Sequence, residues 1–195
     1  MQLCIRRNKT MCEKKTKQDK WKLTVQDIAT IGMMVAIIEV CKVVLMGLPN
    51  VELTTFWIIM FSIYFGNKVF WAIPVFVLIE GAMFGFHIWW IMYLYMWPSL
   101  ALLARILKKI DSVMAYSILS SAYGFLFGFF CTIPYLFIGM ADGGIKNGLY
   151  TAFTWWVAGI PYDMIHGVAN FALMFILYKP IRTIMNKMPK ISESF

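Results

Sequence analysis

Long apolar runs, nearly free of charge, fill this chain between Trp21 and Tyr178, and no other feature constrains its fold as tightly. A helix needs roughly 20 mostly apolar residues to cross a hydrocarbon core about 30 Å thick. Six runs stand out: Thr24 to Met46, Glu52 to Phe65, Val69 to Phe84, Ile88 to Leu107, Ser112 to about Gly139, and Leu149 to Tyr178. Between them lie turn-forming or polar breaks, among them Gly47-Leu48-Pro49-Asn50, Gly66-Asn67-Lys68 and Ala141-Asp142-Gly143-Gly144. Hydrophobic residues make up 61% and charged residues 14% of the chain, against roughly 45–50% and roughly 25% in soluble domains. With a mean hydropathy of +0.69, the chain is expected to be an all-α integral membrane protein, a six-transmembrane-helix bundle in the cell membrane.

The charges support that plan. Eight basic residues precede the first run, and Lys68, Arg105, Lys108, Lys109, Lys179, Arg182, Lys187 and Lys190 fall in alternate connections or in the C-terminal tail. That places 16 of 18 basic residues on one side of a six-span map, with Lys146 opposite and Lys42 inside the first run. Cytoplasmic loops carry such an excess, so both termini are expected to be cytoplasmic. The expected organisation is a basic cytoplasmic tail over 1–22, a membrane domain over 23–179 and a cytoplasmic tail over 180–195. A net charge of +8 concentrated beside membrane spans reads as a topology signal facing anionic lipid; nucleic acid is not expected as a partner.

The last run is too long for one crossing, and it contains Gly159-Ile160-Pro161. Proline removes a donor and crowds the preceding turn, so a break in the last helix is expected near Pro161. Backbone groups freed there would need protein or a water-filled cavity around them.

No phosphate-cradling GxxxxGK[ST] loop, GxSxG elbow or HExxH motif is present, so any pumping must draw on a partner or an ion gradient. Cys4, Cys12, Cys41 and Cys131 form no CxxC pair, which suggests neither a disulfide framework nor a zinc site. No cofactor is expected.

Ionisable residues within apolar runs are costly and therefore candidates for function. Glu39 and Lys42, three apart, share a helix face and can neutralise each other or meet a ligand. Glu80 has no local partner, which suggests a cavity or a cross-helix pair. Asp163, His166 and Asn170 fall on one stripe after Pro161, suited either to interhelical hydrogen bonding or to ligand contact. Asp163 and His166 supply too few donors for a closed metal site.

Aromatic residues form 17% of the chain. Trp89, Trp90, Tyr93, Tyr95 and Trp97 crowd the start of the fourth run, and Trp155-Trp156 precede Pro161. An interfacial belt explains some of them. Others must face the bundle, where they could stack on a small molecule. Small residues recur at Gly32-x-x-x-Ala36, Gly81-x-x-x-Gly85 and Gly124-x-x-x-Gly128, spacings that permit close helix approach inside the bundle or against a partner.

Three stretches resemble a known family. Leu48-Pro49-Asn50-Val51-Glu52-Leu53-Thr54-Thr55-Phe56 is similar to the lead-in to the second helix in the S components of energy-coupling factor (ECF) transporters. Gly85-Phe86-His87-Ile88-Trp89-Trp90 with Tyr95-Met96-Trp97-Pro98, and the run from Gly159 to Asn170, resemble the aromatic fourth helix and the last helix of its cobalamin-type branch. The resemblance implies a substrate-capture subunit of an ABC-type importer, itself not an enzyme, that works with one ECF membrane subunit and two ATPase subunits. It implies a vitamin or vitamin precursor as substrate. One branch takes cobalamin or a related precursor; others take riboflavin, thiamine, folate, pantothenate, lipoate or queuosine precursors.

The expected pocket or gate residues are Asn50, Glu52, Glu80, His87, Trp89, Trp90, Tyr93, Trp97, Trp155 and Asp163. Gly32 and Ala36 match the family's partner-docking positions, with a glycine where an alanine is usual. Glu39, Lys42, His166 and Asn170 are assigned to a structural network. The rival expectations are a stand-alone secondary transporter relaying protons through Glu80 and Asp163, a membrane enzyme using Asp163 and His166, and an assembly subunit with no ligand.

Overall fold

The computed structural model describes residues 23–188. The basic tail read over 1–22, with Cys4 and Cys12, and the end of the C-terminal tail lie outside the described residues. Among the described residues six α-helices follow one another: α1 (Val25–Leu45), α2 (Thr54–Tyr64), α3 (Val69–Phe84), α4 (Ile88–Ile106), α5 (Val113–Phe125) and α6 (Phe127–Lys187). No strand occurs among the described residues.

Local chemistry sets the helix ends. Thr24 and Asp27 form a reciprocal capping box at the start of α1, with the Asp27 amide donating to Thr24 Oγ1 at 3.1 Å and the Thr24 amide donating to Asp27 Oδ2 at 2.9 Å. Ser112 caps α5 through the Ala115 amide. Gly85, at φ 93°, ends α3 in a conformation that suits glycine.

The expected break near Pro161 is not found. Within α6 only Gly143 (φ −158°, ψ 24°) and Gly144 (φ 75°, ψ −171°) leave helical geometry, and there the chain reverses. Pro134, Pro161 and Pro180 all lie inside α6. A proline deletes one hydrogen bond and bends the axis, which a helix packed along its length can absorb, whereas the Gly144 dihedrals are closed to residues bearing a Cβ. The polar glycine turn thus does the work that the sequence reading divides between it and Pro161.

About this reversal, α5 and the two limbs of α6 form a long antiparallel hairpin. Tyr116 stacks on Tyr178 with ring centroids 5.4 Å apart, Asn170 donates to the Ser120 carbonyl at 3.4 Å, and Tyr135 stacks on Trp155 at 3.9 Å. At Gly124 the backbones nearly touch: a Cβ built there would lie 2.8 Å from the Gly167 Cα. The fifth predicted run is therefore interrupted, since helical geometry lapses at Leu126 (φ −94°, ψ 0°) before the chain continues up the hairpin.

Val25–Leu45, Gly66–Phe84, Ile88–Lys109 and Val113–Lys187 are long and apolar enough to cross a membrane. The 11 residues of α2 span only about 16 Å. Large apolar side chains such as Val40, Trp71, Leu78, Leu102, Ile118, Val168 and Ile176 are exposed, while Asp27, Lys68, Glu80, Asp163, His166 and Asn170 are buried. That distribution inverts the soluble pattern and is compatible with a bundle in lipid.

The two ends of the bundle differ. At the basal end Lys68 pairs with Asp27 at 2.7 Å, Arg182 pairs with Asp111, and Tyr116 donates to the Leu107 carbonyl at 3.0 Å. The apical end carries the turns at 46–53 and 85–87 and the hairpin tip.

Candidate binding site

In the apical half, α1 supplies Glu39 and Lys42 one turn apart, and the long Lys42 stem reaches across to α3. There its ammonium pairs with Glu80, not with Glu39 as helix spacing suggests. The same ammonium donates to the Tyr93 hydroxyl of α4 at 3.3 Å. Four rings surround it, with centroids 5.0 Å (Tyr93), 5.5 Å (Phe84), 5.8 Å (Phe76) and 5.9 Å (Trp89) from Nζ. All are within reach of a cation–π attraction. The Glu39 carboxyl lies beside that of Glu80. Both Glu39 oxygens and Glu80 Oε1 are buried without a hydrogen-bond partner.

A second polar group lies close by. The turn before α2 holds Asn50 at φ 58° and presents Glu52. The Glu52 Oε1 accepts from Thr55 Oγ1 at 2.7 Å and lies 3.1 Å from His166 Nε2. Asp163 accepts from the Gly128 amide at 2.9 Å. That amide belongs to the first turn of α6, just past the lapse at Leu126, so Asp163 caps the restarted helix from across the hairpin. Gly128 permits this because a Cβ there would overlap the carboxylate. Asp163 and His166 therefore turn to different partners although they share a stripe.

An aromatic column joins the two groups. Trp89, Tyr93 and Trp97 follow at four-residue spacing on α4, with ring centroids 5.2 and 5.3 Å apart. Trp97, 1% exposed, meets Phe127 at 6.0 Å, and Phe127 meets His166 at 4.9 Å. Its indole Nε1 is buried without a partner. Tyr93 is within electrostatic reach of Glu39, Glu52 and Glu80.

Among the expected site residues, Glu52, Glu80, Trp89, Tyr93 and Trp97 thus gather around one seam, with Asp163 at its lower edge beside His166. Glu39, Lys42 and His166, assigned in advance to a structural network, stand in the same seam. Trp90 turns away and donates to the Val77 carbonyl at 2.7 Å, crossing α3 at Gly81. Its indole staples α3 to α4. His87 is exposed at the apical turn, and Trp155 is exposed against Tyr135 on the hairpin. Gly32 and Ala36 lie on an exposed face of α1, and a Cβ at Gly32 would meet nothing within 4 Å. Phe76, Phe84, Phe127 and Thr55 were missed; only the four-residue spacing of Phe76 and Glu80 on α3 could have signalled the first. No group of three or more His, Cys, Asp or Glu side chains fit to hold a metal occurs among the described residues.

Comparison of the chain with protein-family models, with curated protein sequences and with solved structures finds no significant match.

Proposed function

We propose that this chain is the membrane-embedded substrate-capture subunit of an ECF-type importer, taking up a vitamin or vitamin precursor, with a corrinoid-type ligand favoured. In this reading it crosses the cell membrane six times with both termini cytoplasmic. An ECF membrane subunit docks on the open face of α1 at Gly32 and Ala36, and two ATPase subunits supply the energy. The observation that carries the reading is the seam of Glu39, Lys42, Glu80, Tyr93, Glu52 and His166 lined by Trp89 and Trp97. Buried polar groups with unused hydrogen-bonding capacity beside rigid aromatic faces form the kind of site that holds a small polar ring system.

Native mass spectrometry of the detergent-purified chain tests the reading. A co-purifying small molecule that disappears in the Trp89→Ala and Tyr93→Phe variants is expected. An empty protein that also ignores a panel of vitamins would sink it. A second reading, a proton-coupled carrier working alone, draws on the adjacent Glu39 and Glu80 carboxyls. Uptake by vesicles holding this chain alone, driven by a pH gradient, would replace the first reading with the second.

A further inference from the structure

Spanning helices match the hydrocarbon they cross. The 21 residues of α1 and the 19 of α4 do so, each being roughly 30 Å long. The hairpin does not. At 1.5 Å per residue its ascending limb, 113–142, is roughly 45 Å long. Tyr95 fixes the level of this limb against α4 by donating to the Phe130 carbonyl at 2.8 Å, the carbonyl that Pro134 leaves without its helical donor. Above that level α4 rises roughly 10 Å to Ile88, whereas the hairpin rises roughly 20 Å to Gly143. The upper hairpin therefore overshoots its neighbour.

This upper part is apolar on opposite sides. Among the described residues, the ring pairs and side-chain hydrogen bonds of 133–160 close within the hairpin itself. Ile145, Leu149 and Phe153 form one exposed stripe at four-residue spacing. Phe153 and Trp155 stand about 200° apart around their helix, yet they are 59% and 46% exposed. A protein partner covers one face of such a ribbon, whereas a fluid apolar medium covers opposite faces at once. Asp142 and Lys146 are exposed at the tip. Tyr135, Tyr150, Trp155 and Trp156 follow in the turns below, rings that favour the headgroup boundary. Pro134 and Pro161 both fall between the Gly128–Asp163 and Tyr135–Trp155 contacts, so the two limbs can bend at one level.

We propose that the upper hairpin, 133–160, is a lipid-binding arm that leans over at the proline level and lies in the apical leaflet, its sides against acyl chains and its tip among phospholipid headgroups. A straight limb of roughly 45 Å fits a core of about 30 Å only at a slant of about 50°. Spanning helices slant by up to about 40°, and the bend at the prolines supplies the rest. The arm goes beyond the capture reading and does not depend on it.

Site-directed spin labelling in phosphatidylcholine nanodiscs tests the arm, using the full chain with Cys4, Cys12, Cys41 and Cys131 changed to alanine. Labels at Leu149→Cys, Phe153→Cys and Trp155→Cys should collide several times more with oxygen than with a water-soluble nickel chelate. A label at Asp142→Cys should show the reverse order. The chain with its native cysteines gives a second reading. Phospholipids brominated along their acyl chains should quench the Trp155 share of the fluorescence, taken as the difference between the parent and Trp155→Phe, and aqueous iodide should not. Collisions dominated by nickel at Leu149 and Phe153, or quenching of Trp155 by iodide alone, would overturn the proposal, because the arm would then stand in water. Collisions suppressed for both reagents at these sites would also overturn it, because a second copy or another subunit would then cover the arm. Either result leaves the capture reading standing, whereas an empty protein that ignores vitamins removes that reading and leaves the arm.

Discussion

Substituting Gly124 and Gly32 in parallel tests the hairpin packing. Both glycines lie within helices, and in a helix interior Gly→Ala by itself stabilises by about 0.5–1 kcal/mol. At Gly124 the new methyl would stand 2.8 Å from the Gly167 Cα and 2.9 Å from the Gly167 nitrogen. These are backbone atoms, so no rotamer change relieves the overlap; the two limbs must part by more than half an ångström. Overpacking of this kind costs about 1–3 kcal/mol, and an immovable neighbour puts Gly124→Ala in the upper part of that range. After subtracting the propensity gain, the net loss is about 1–2 kcal/mol. At Gly32 the methyl meets nothing within 4 Å, so only the gain remains. The two variants should therefore shift in opposite directions, by roughly 2–4 °C per kcal/mol for a chain of this length. Thermal unfolding in one detergent, followed by tryptophan fluorescence, measures both. Shifts of the same sign would refute the backbone contact between the limbs.

Lys42→Met should destabilise by about 3–5 kcal/mol because it leaves Glu80 buried and unpaired, and Lys42→Met with Glu80→Gln should recover most of that in the same unfolding assay. Asp163→Ala removes the cap on the Gly128 amide and should cost about 1 kcal/mol, whereas Asp163→Asn keeps an acceptor in place and should cost less. Trp90→Phe loses the donor to the Val77 carbonyl, a stability cost of about 1 kcal/mol, yet should leave any ligand affinity within twofold of the parent (about 0.4 kcal/mol). Affinity lost in Trp90→Phe with stability unchanged would contradict its role as a staple.

Helices were legible in the sequence because their signal is local. An apolar run of suitable length has few alternatives, and the first four of the six expected runs meet helices within a few residues of their ends. The Ala141-to-Gly144 turn was legible for the same reason, since two adjacent glycines open backbone space that other residues lack. Pro161 misled because its effect depends on what packs around it, and the hairpin holds α6 helical there. Side-chain partners were the least legible. Spacing within α1 pairs Lys42 with Glu39, but the ammonium goes 38 residues along the chain to Glu80, across a helix contact that no local pattern encodes. Among five aromatics in nine residues, four-residue spacing picks out Trp89, Tyr93 and Trp97 as one stripe, while Trp90 and Tyr95 leave it to donate to the Val77 and Phe130 carbonyls. That stripe was present in the sequence, but which face of α4 met the bundle was not.

The two ends of the bundle spend their charges differently, and this bears on where a ligand can act. At the basal end Lys68 closes on Asp27, and both Arg182 nitrogens meet the two Asp111 oxygens, so the acids there have taken their cations from within the chain. In the apical half Lys42 is shared between Glu80 and the Tyr93 hydroxyl, Glu39 lies against the Glu80 carboxyl with no cation of its own, Glu52 depends on His166 and Thr55, and Asp163 keeps one oxygen without a partner. A group already satisfied gains little by exchanging one partner for another, whereas an idle buried acceptor gains nearly a full hydrogen bond, stronger when the new partner is charged. The energy open to a ligand is therefore concentrated in the apical seam. On the proposed capture reading, the closed basal pairs and the zipped hairpin would supply the rigidity that keeps Trp89, Tyr93 and Trp97 aligned for a ligand.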